Sequence, residues 1–494
     1  MIIANVDTSF HALFNVRLAA RGIARLVALV LLACASLVAV GSSHAATIVI
    51  INQNAAGIGF NDPTPAAPVG GNPGVTLGEQ RLYAFQYAAD IWASHLVSNV
   101  PIRIGAAFVP LDCNATGAVL GAAGANLVVS DFAGAPIAGT WYSSALAGKL
   151  AGFDFVPATV PHILARFNSR LGLFANCVPG LTFYLGLDRN GGDQIDLVTT
   201  LLHEIAHGLG FQTFTDESTG EFLENKPSVW DFYLTDNQRE RVWAQMSNAE
   251  RVTSATTWRG LSWSGPLVTA AVPGLLDPAS VLTISGAAAG NAARAYAVGD
   301  AAFGPPIASS PVSGQLMPVV DQASGAGLAC TPLNAINALA VRGNVALVDR
   351  GTCDFVVKGR NVQTAGAIGM IVADNVAGEV AELPGIDPAI AIPSARITRA
   401  DALEIKAALQ NRSRTRSGVV ARLASDPVRL AGADLRGRML MYTPGILAPG
   451  SSVSHFTTEA RPNVLMEPSI NDDLRHIVDT PSDLTLPLLR DIGW

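Results

Sequence analysis

DLVTTLLHEIAHGLGF, residues 196–211, is the stretch on which the reading of this chain turns. It is strongly apolar. It opens with Asp196, a residue type that caps helices, and it closes on Gly208 and Gly210, which stop them. The pattern predicts a buried helix over 196–211 ending near Gly208 or Gly210. Within it, HEIAH places His203 and His207 four residues apart, so both imidazoles project from one face. Two neutral imidazoles at that spacing bind one Zn²⁺. Glu204, beside the first of them, has the reach to take a proton from water at the metal. The bland alternative is a metal-free buried helix with two satisfied histidines. It buries two imidazoles and a carboxylate without a metal to compensate them, which is costly.

Just upstream of this helix, LTFYLGL at 181–187 reads as a strand and DRNGGDQ at 188–194 as a polar turn. That turn carries oxygen ligands that raise the question of Ca²⁺, but it does not match the 12-position EF-hand loop. Further upstream, ATIVIINQ reads as a strand. Residues 76–98 read as an amphipathic helix, with Leu82, Phe85, Ala88, Ala89 and Trp92 at helical spacing, and residues 100–111 as another strand. The stretch from there to about 180 shows no clear pattern among its Gly- and Ala-rich loops. Downstream, VWDFYLTDNQRERVWAQM predicts a second helix over about 228–247. DLTLPLLRDIGW at the end of the chain predicts a short terminal helix.

A catalytic zinc needs a third protein ligand. Spacing of the form HExxHxxGxxH would put it at position 213, which is Thr213. Asp216, Glu217, Glu221 and Glu224 lie close enough in sequence to substitute, as in peptidases that use a carboxylate. Among the histidines, His11 and His44 precede the mature chain, His95 sits in the first helix, and His162 and His476 have no supporting pattern. His455 stands in a polar loop, SSVSHF, 11 residues before Met466 in VLMEP.

HExxHxxGF followed much later by a histidine and a methionine turn resembles the leishmanolysin-type metzincins. In those enzymes an insertion separates the first two zinc histidines from the third. The resemblance implies that His203, His207 and His455 are the metal ligands, Glu204 the catalytic base and Met466 the turn methionine beneath the site. It covers roughly 46–265 and 428–494 and is specific only at the two motifs. It implies an α+β, metzincin-like zinc peptidase domain. The implied function is a zinc-dependent endopeptidase that hydrolyses peptide bonds through a zinc-activated water with a glutamate general base. The rival readings are a catalytically inactive, zinc-stabilised extracellular binding or adhesion protein, and a zinc peptidase with a nearby carboxylate as third ligand.

Residues 271–427 change in texture to short Val/Ile/Ala runs between Gly and Pro turns. Within them VALVDRGTCDFVVKGRNVQTAGAIGMIVADN, 345–375, reads as strand, loop, helix, strand. Arg350-Gly351 before Cys353, then Phe355, Lys358, Ala365-Gly366-Ala367 and Asn375, resemble a protease-associated domain. Such a domain implies a non-catalytic role in substrate access or protein contacts. No nucleophile, base and orienter stand together in it, and it lacks the GxxxxGK[ST] spacing of a nucleotide loop. The chain therefore divides into a signal peptide at 1–45, a peptidase part at 46–270, an inserted α/β domain at 271–427 and a second peptidase part at 428–494.

At the N-terminus Arg17, Arg21 and Arg25 precede an apolar run at 26–40, and Ser43 and Ala45 then fit cleavage after Ala45. The expectation is a secreted protein, in the medium or a periplasm, with no transmembrane segment once the signal is removed. Cys34 leaves with the signal. The four remaining cysteines allow three pairings, of which the local one is Cys113–Cys177 and Cys330–Cys353. With a net charge of -7, no basic block is long enough to suggest a nucleic-acid surface; the peptidase resemblance implies a protein or peptide substrate.

Overall fold

The computed structural model describes residues 2–5, 45–320, 327–380 and 382–494. The expected signal peptide thus lies outside the described residues, apart from Ala45 and a strand, Ile2–Asn5, that pairs antiparallel with Leu127–Ser130. The architecture is mixed α/β, with two principal sheets.

The first sheet has four strands, in the order Ile48–Asn52, Ile102–Val109, Ile163–Asn168, Gly121–Ala125. The first three run parallel, and the last is antiparallel at the edge. Ile102–Val109 is buried along nearly its whole length, as a parallel strand covered on both faces must be. Helix Leu77–His95 packs beneath the sheet with Phe85, Ala88, Ala89 and Trp92 fully buried, while Leu82, read as part of that face, is exposed. A reciprocal cap starts this helix: Thr76 Oγ1 accepts from the Glu79 amide and the Glu79 carboxylate accepts from the Thr76 amide. Trp92 Nε1 donates to the Leu202 carbonyl at 3.0 Å and so joins this helix to the HEIAH helix.

Two expectations fail locally. Residues 228–247 do not form a helix. They fold as a turn at Trp230–Phe232, a hairpin of Leu234–Asp236 with Arg241–Val242, and a second turn at Trp243–Gln245. Asp236 Oδ1 accepts from the Gln238 and Arg239 amides, which forces a tight turn where a helix would have to continue. Trp230, Leu234 and Trp243 are buried all the same, so the aromatic spacing that imitates a helix face serves a hairpin. The strand read over 181–187 shrinks to Phe183–Tyr184.

The second sheet has eight strands, from Pro278–Ser285 to Val420–Leu430, with its own apolar cores. At its centre Val312–Pro318, Val345–Asp349, Gly369–Ala373 and Ser394–Ile397 run parallel. Helix Phe355–Thr364 makes the crossover between the second and third of these. Pro278 pairs with Leu430, so the chain enters and leaves this sheet at adjacent positions. Disulfides join Cys113 to Cys177 in the first unit and Cys330 to Cys353 in the second. Lys358, fully buried, donates Nζ to the carbonyls of Leu328 and Gly351 beside the second disulfide.

Between Leu430 and the last helix, Thr485–Asp491, the chain has no regular element. Asp491 and Trp494 tie its end to the core. The Asp491 carboxylate accepts from Trp263 Nε1, and Trp494 Nε1 donates to the Leu209 carbonyl.

Candidate metal centre

Helix Leu197–Leu209 carries the HEIAH motif, and all thirteen of its residues are buried. Asp196 Oδ1 accepts from the Thr199 amide at 2.7 Å, so the predicted cap forms. Gly210, at φ 125°, ends the helix in a conformation that side chains rarely adopt and turns the chain beneath the site.

The chain brings His455 to this helix. The Nε2 atoms of His203 and His207 lie 3.1 Å apart, those of His207 and His455 3.1 Å, and those of His203 and His455 3.2 Å. Each Nδ1 faces a backbone carbonyl: His203 faces Leu465 at 2.7 Å, His207 faces Phe211 at 2.7 Å, and His455 faces Ser451 at 2.9 Å. A carbonyl can only accept, so each Nδ1 carries the proton and each Nε2 presents a lone pair. Three lone pairs then point at one spot with no proton among them, an arrangement that a cation relieves. Tetrahedral zinc with nitrogen ligands at about 2.0–2.1 Å calls for nitrogens roughly 3.3 Å apart, close to the spacing found. The donor set therefore fits zinc.

Burial holds all three imidazoles neutral. It lowers His203 to about 4 and, with His203 beside it, His207 to about 3, and it pushes His455 well below its ordinary value. Burial pushes the Glu204 carboxyl up to about 8, opposed in part by the Ala123 amide that donates to it. Gly121, on the same edge strand, passes so close that a Cβ there would lie 2.9 Å from Glu204 Cγ.

Met466 is fully buried in the turn Val464–Glu467. Two buried carboxylates hold this turn. Glu467 Oε1 accepts from the Val464 amide at 3.0 Å, and Asp483 Oδ2 accepts from the Leu465 amide at 2.7 Å. The turn's carbonyls reach both sides of the histidine cluster: Leu465 accepts from His203, and Met466 accepts from the amide of Phe456, next to His455. Sequence reasoning missed Asp483 and Glu467, since no spacing links either of them to the HEIAH motif.

The other candidates lie elsewhere. Asp216, Glu221 and Glu224 are exposed and Glu217 is half-buried, and none of them belongs to the convergent group. His95 Nδ1 bonds to the Ile91 carbonyl, His162 to Asp154, and His476 to Asp196; His11 and His44 lie outside the described residues. In the 188–194 turn, Asp188 is engaged by Tyr184 Oη and Asn190. Among the described residues no group of three His, Cys, Asp or Glu side chains converges there as at the histidines.

Residues 312–405 match the PA domain family. The PA domain thus lies between His207 and His455 in sequence. The chain is also 33% identical over 117 residues to the minor extracellular protease Vpr of Bacillus subtilis (strain 168), covering 22% of this chain and 14% of that protein. It is 42% identical over 67 residues to the C5a peptidase of Streptococcus pyogenes, covering 13% of this chain and 6% of the relative. It therefore spans only a small part of either relative. Among solved structures it is similar to BSAP, a zinc aminopeptidase from Bacillus subtilis, with 20% identity, 33% of this chain and 37% of that one covered, and a TM-score of 0.21. The aminopeptidase from Aneurinibacillus sp. strain AM-1 gives 17% identity, 33% and 38% coverage, and a TM-score of 0.22. Among the described residues no helix is long and apolar enough to cross a membrane.

Proposed function

We propose that this chain is an exported zinc-dependent endopeptidase of leishmanolysin-like organisation, acting on protein or peptide substrates. On this reading residues 46–270 and 428–494 make up the peptidase unit, and 271–427, which include the PA domain, are inserted between them. The observation that carries the proposal is the convergence of the three Nε2 atoms within 3.2 Å of one another, with Glu204 adjacent to the first.

His203, His207 and His455 would hold the metal through Nε2, their rings oriented by the carbonyls of Leu465, Phe211 and Ser451. Zinc bound there supplies a Lewis acid for the scissile carbonyl and makes water acidic enough to attack near neutral pH. Glu204 takes the proton of the attacking water and passes it to the leaving amine. Burial opposes the ionised form of Glu204 that this requires, and a divalent cation beside it acts in the opposite direction. Gly121–Ala125, at the sheet edge above the helix, offers backbone groups to which an extended peptide can add as a further strand. Its glycines and alanines leave room for that peptide. Met466 would pack beneath the metal site.

The two disulfides, and the word "extracellular" in the name of the Bacillus relative, support an oxidising location outside the cytoplasm. The PA domain is assigned protein contacts or control of substrate access, with no chemistry of its own.

Glu204→Gln tests the reading, with cleavage of a broad peptide library and zinc content measured on the same samples. Zinc should be retained while kcat falls by about 10²–10⁴-fold. Full activity in the variant rejects Glu204 as the base. A zinc-loaded wild type that cleaves nothing supports the binding-protein reading instead.

A further inference from the structure

We propose that Asp231 is a positioning residue for the metal centre, fixing His455 relative to His207 through Thr213 and Ser454. This inference rests on reading the three histidines as zinc ligands.

Position 213 is where continuous HExxHxxGxxH spacing would put a third histidine. Here Thr213 makes bonds in two directions. Its amide donates to Ser454 Oγ at 3.1 Å, on the residue just before His455. Its Oγ1 donates to Asp231 Oδ1 at 2.7 Å. Thr215 Oγ1 donates to Asp231 Oδ2 at 2.9 Å, and the Ser228 amide donates to the same oxygen at 2.7 Å. The Thr215 amide donates to Thr213 Oγ1 at 3.0 Å and closes the loop. Asp231 is fully buried, and its oxygens are held by two hydroxyls and an amide; among the described residues it makes no salt bridge. A buried carboxylate with these partners is fixed in place, because moving away would strand it without donors.

The strap 211–215 is thus fastened at three points. Its start accepts from His207 Nδ1 through the Phe211 carbonyl, its middle holds Ser454, and its end holds Asp231. The segment that receives the strap needs an external hold. Val453, next to Ser454, sits at φ 66°, a strained conformation for a β-branched residue, and such strain persists only where the surroundings impose it. A carboxylate without a covalent or metal contact therefore sets the gap between two ligands that must match a metal to within about 0.2 Å.

The test measures the zinc dissociation constant by competition with a chromophoric chelator, the visible spectrum of the Co²⁺-loaded protein, and the melting temperature of the metal-free protein. Asp231→Asn, Thr213→Val and Ser454→Ala are compared with wild type; Ser454→Ala leaves the Asp231 contacts intact if the aspartate variant does not fold. The expected result is a loss of zinc affinity of about 10–100-fold in folded Asp231→Asn, in Thr213→Val and in Ser454→Ala, with altered Co²⁺ bands. The Thr213→Val/Ser454→Ala double variant should lose about as much as whichever single variant loses more, because both breaks lie on one path. Unchanged zinc affinity and Co²⁺ bands in folded Thr213→Val and Ser454→Ala, whatever their melting temperatures, would overturn the inference while leaving the zinc reading standing. A wild type that binds no zinc removes that reading, and this inference with it.

Discussion

His203 and His207 stand on thirteen residues of continuous helix, whereas His455 stands in a stretch, 431–484, that contains no helix and no strand. The helix is specified by its own residues: a capping aspartate, an apolar run and a terminal glycine. The irregular half is held by bonds from distant segments. The Tyr442 amide donates to the His455 carbonyl, the Phe456 amide to Met466, the Leu465 amide to Asp483, and the Thr213 amide to Ser454. A ligand on a helix takes its direction from helical periodicity. A ligand on a loop takes it from every partner of that loop, so the two halves should respond differently to substitution.

The largest effect expected in the metal-free protein falls on the helix half. Glu204 is buried and its carboxyl sits at about 8, against about 4.3 in an unfolded chain, so the unfolded state ionises first as pH rises. The stability contributed by the protonated form is fully present below about pH 4 and is lost progressively up to about pH 8. Glu204→Gln has no such loss and should be more stable than wild type by roughly 4 kcal/mol at pH 7, with the difference vanishing near pH 4. Urea denaturation of both proteins across that window checks it. An equal difference at both pH values would refute the assignment to ionisation.

A smaller effect should separate the halves directly. Asp483→Ala removes the acceptor of the Leu465 amide, and with it the hold on the carbonyl that orients His203. Zinc affinity should fall by about 10–100-fold, as measured by chelator competition. Asp196→Ala should show the smallest effect. It costs about 1 kcal/mol of stability through loss of the helix cap, and it should leave zinc affinity nearly unchanged, because the histidines lie beyond the first turn. Equal effects of the two variants on zinc would erase the contrast between the halves.

The same contrast decides what could be read from the sequence. The HEIAH helix, helix Leu77–His95 and the Val345–Ala373 strand, helix and strand have local periods and local caps, and the structure contains them. His455 and Met466 carry no local pattern and entered through a family resemblance and a shortage of other histidines. Asp231, Asp483 and Glu467 were not legible, because their roles exist only once remote backbone amides and hydroxyls meet them. The Gly121–Ala125 edge strand escaped because Gly and Ala signal neither strand period nor strand preference. The reverse error arose at 228–247, where buried aromatics at near-helical intervals belong to turns and a hairpin.

The most direct test of the central claim is zinc content per chain of the purified mature protein, wild type beside His455→Ala, with peptide cleavage followed on the same samples. The expected result is one zinc in wild type, and its loss or severe weakening in the variant together with cleavage. Unchanged zinc and cleavage in the variant would contradict the split three-histidine site and return the third ligand to the carboxylates at 216–224.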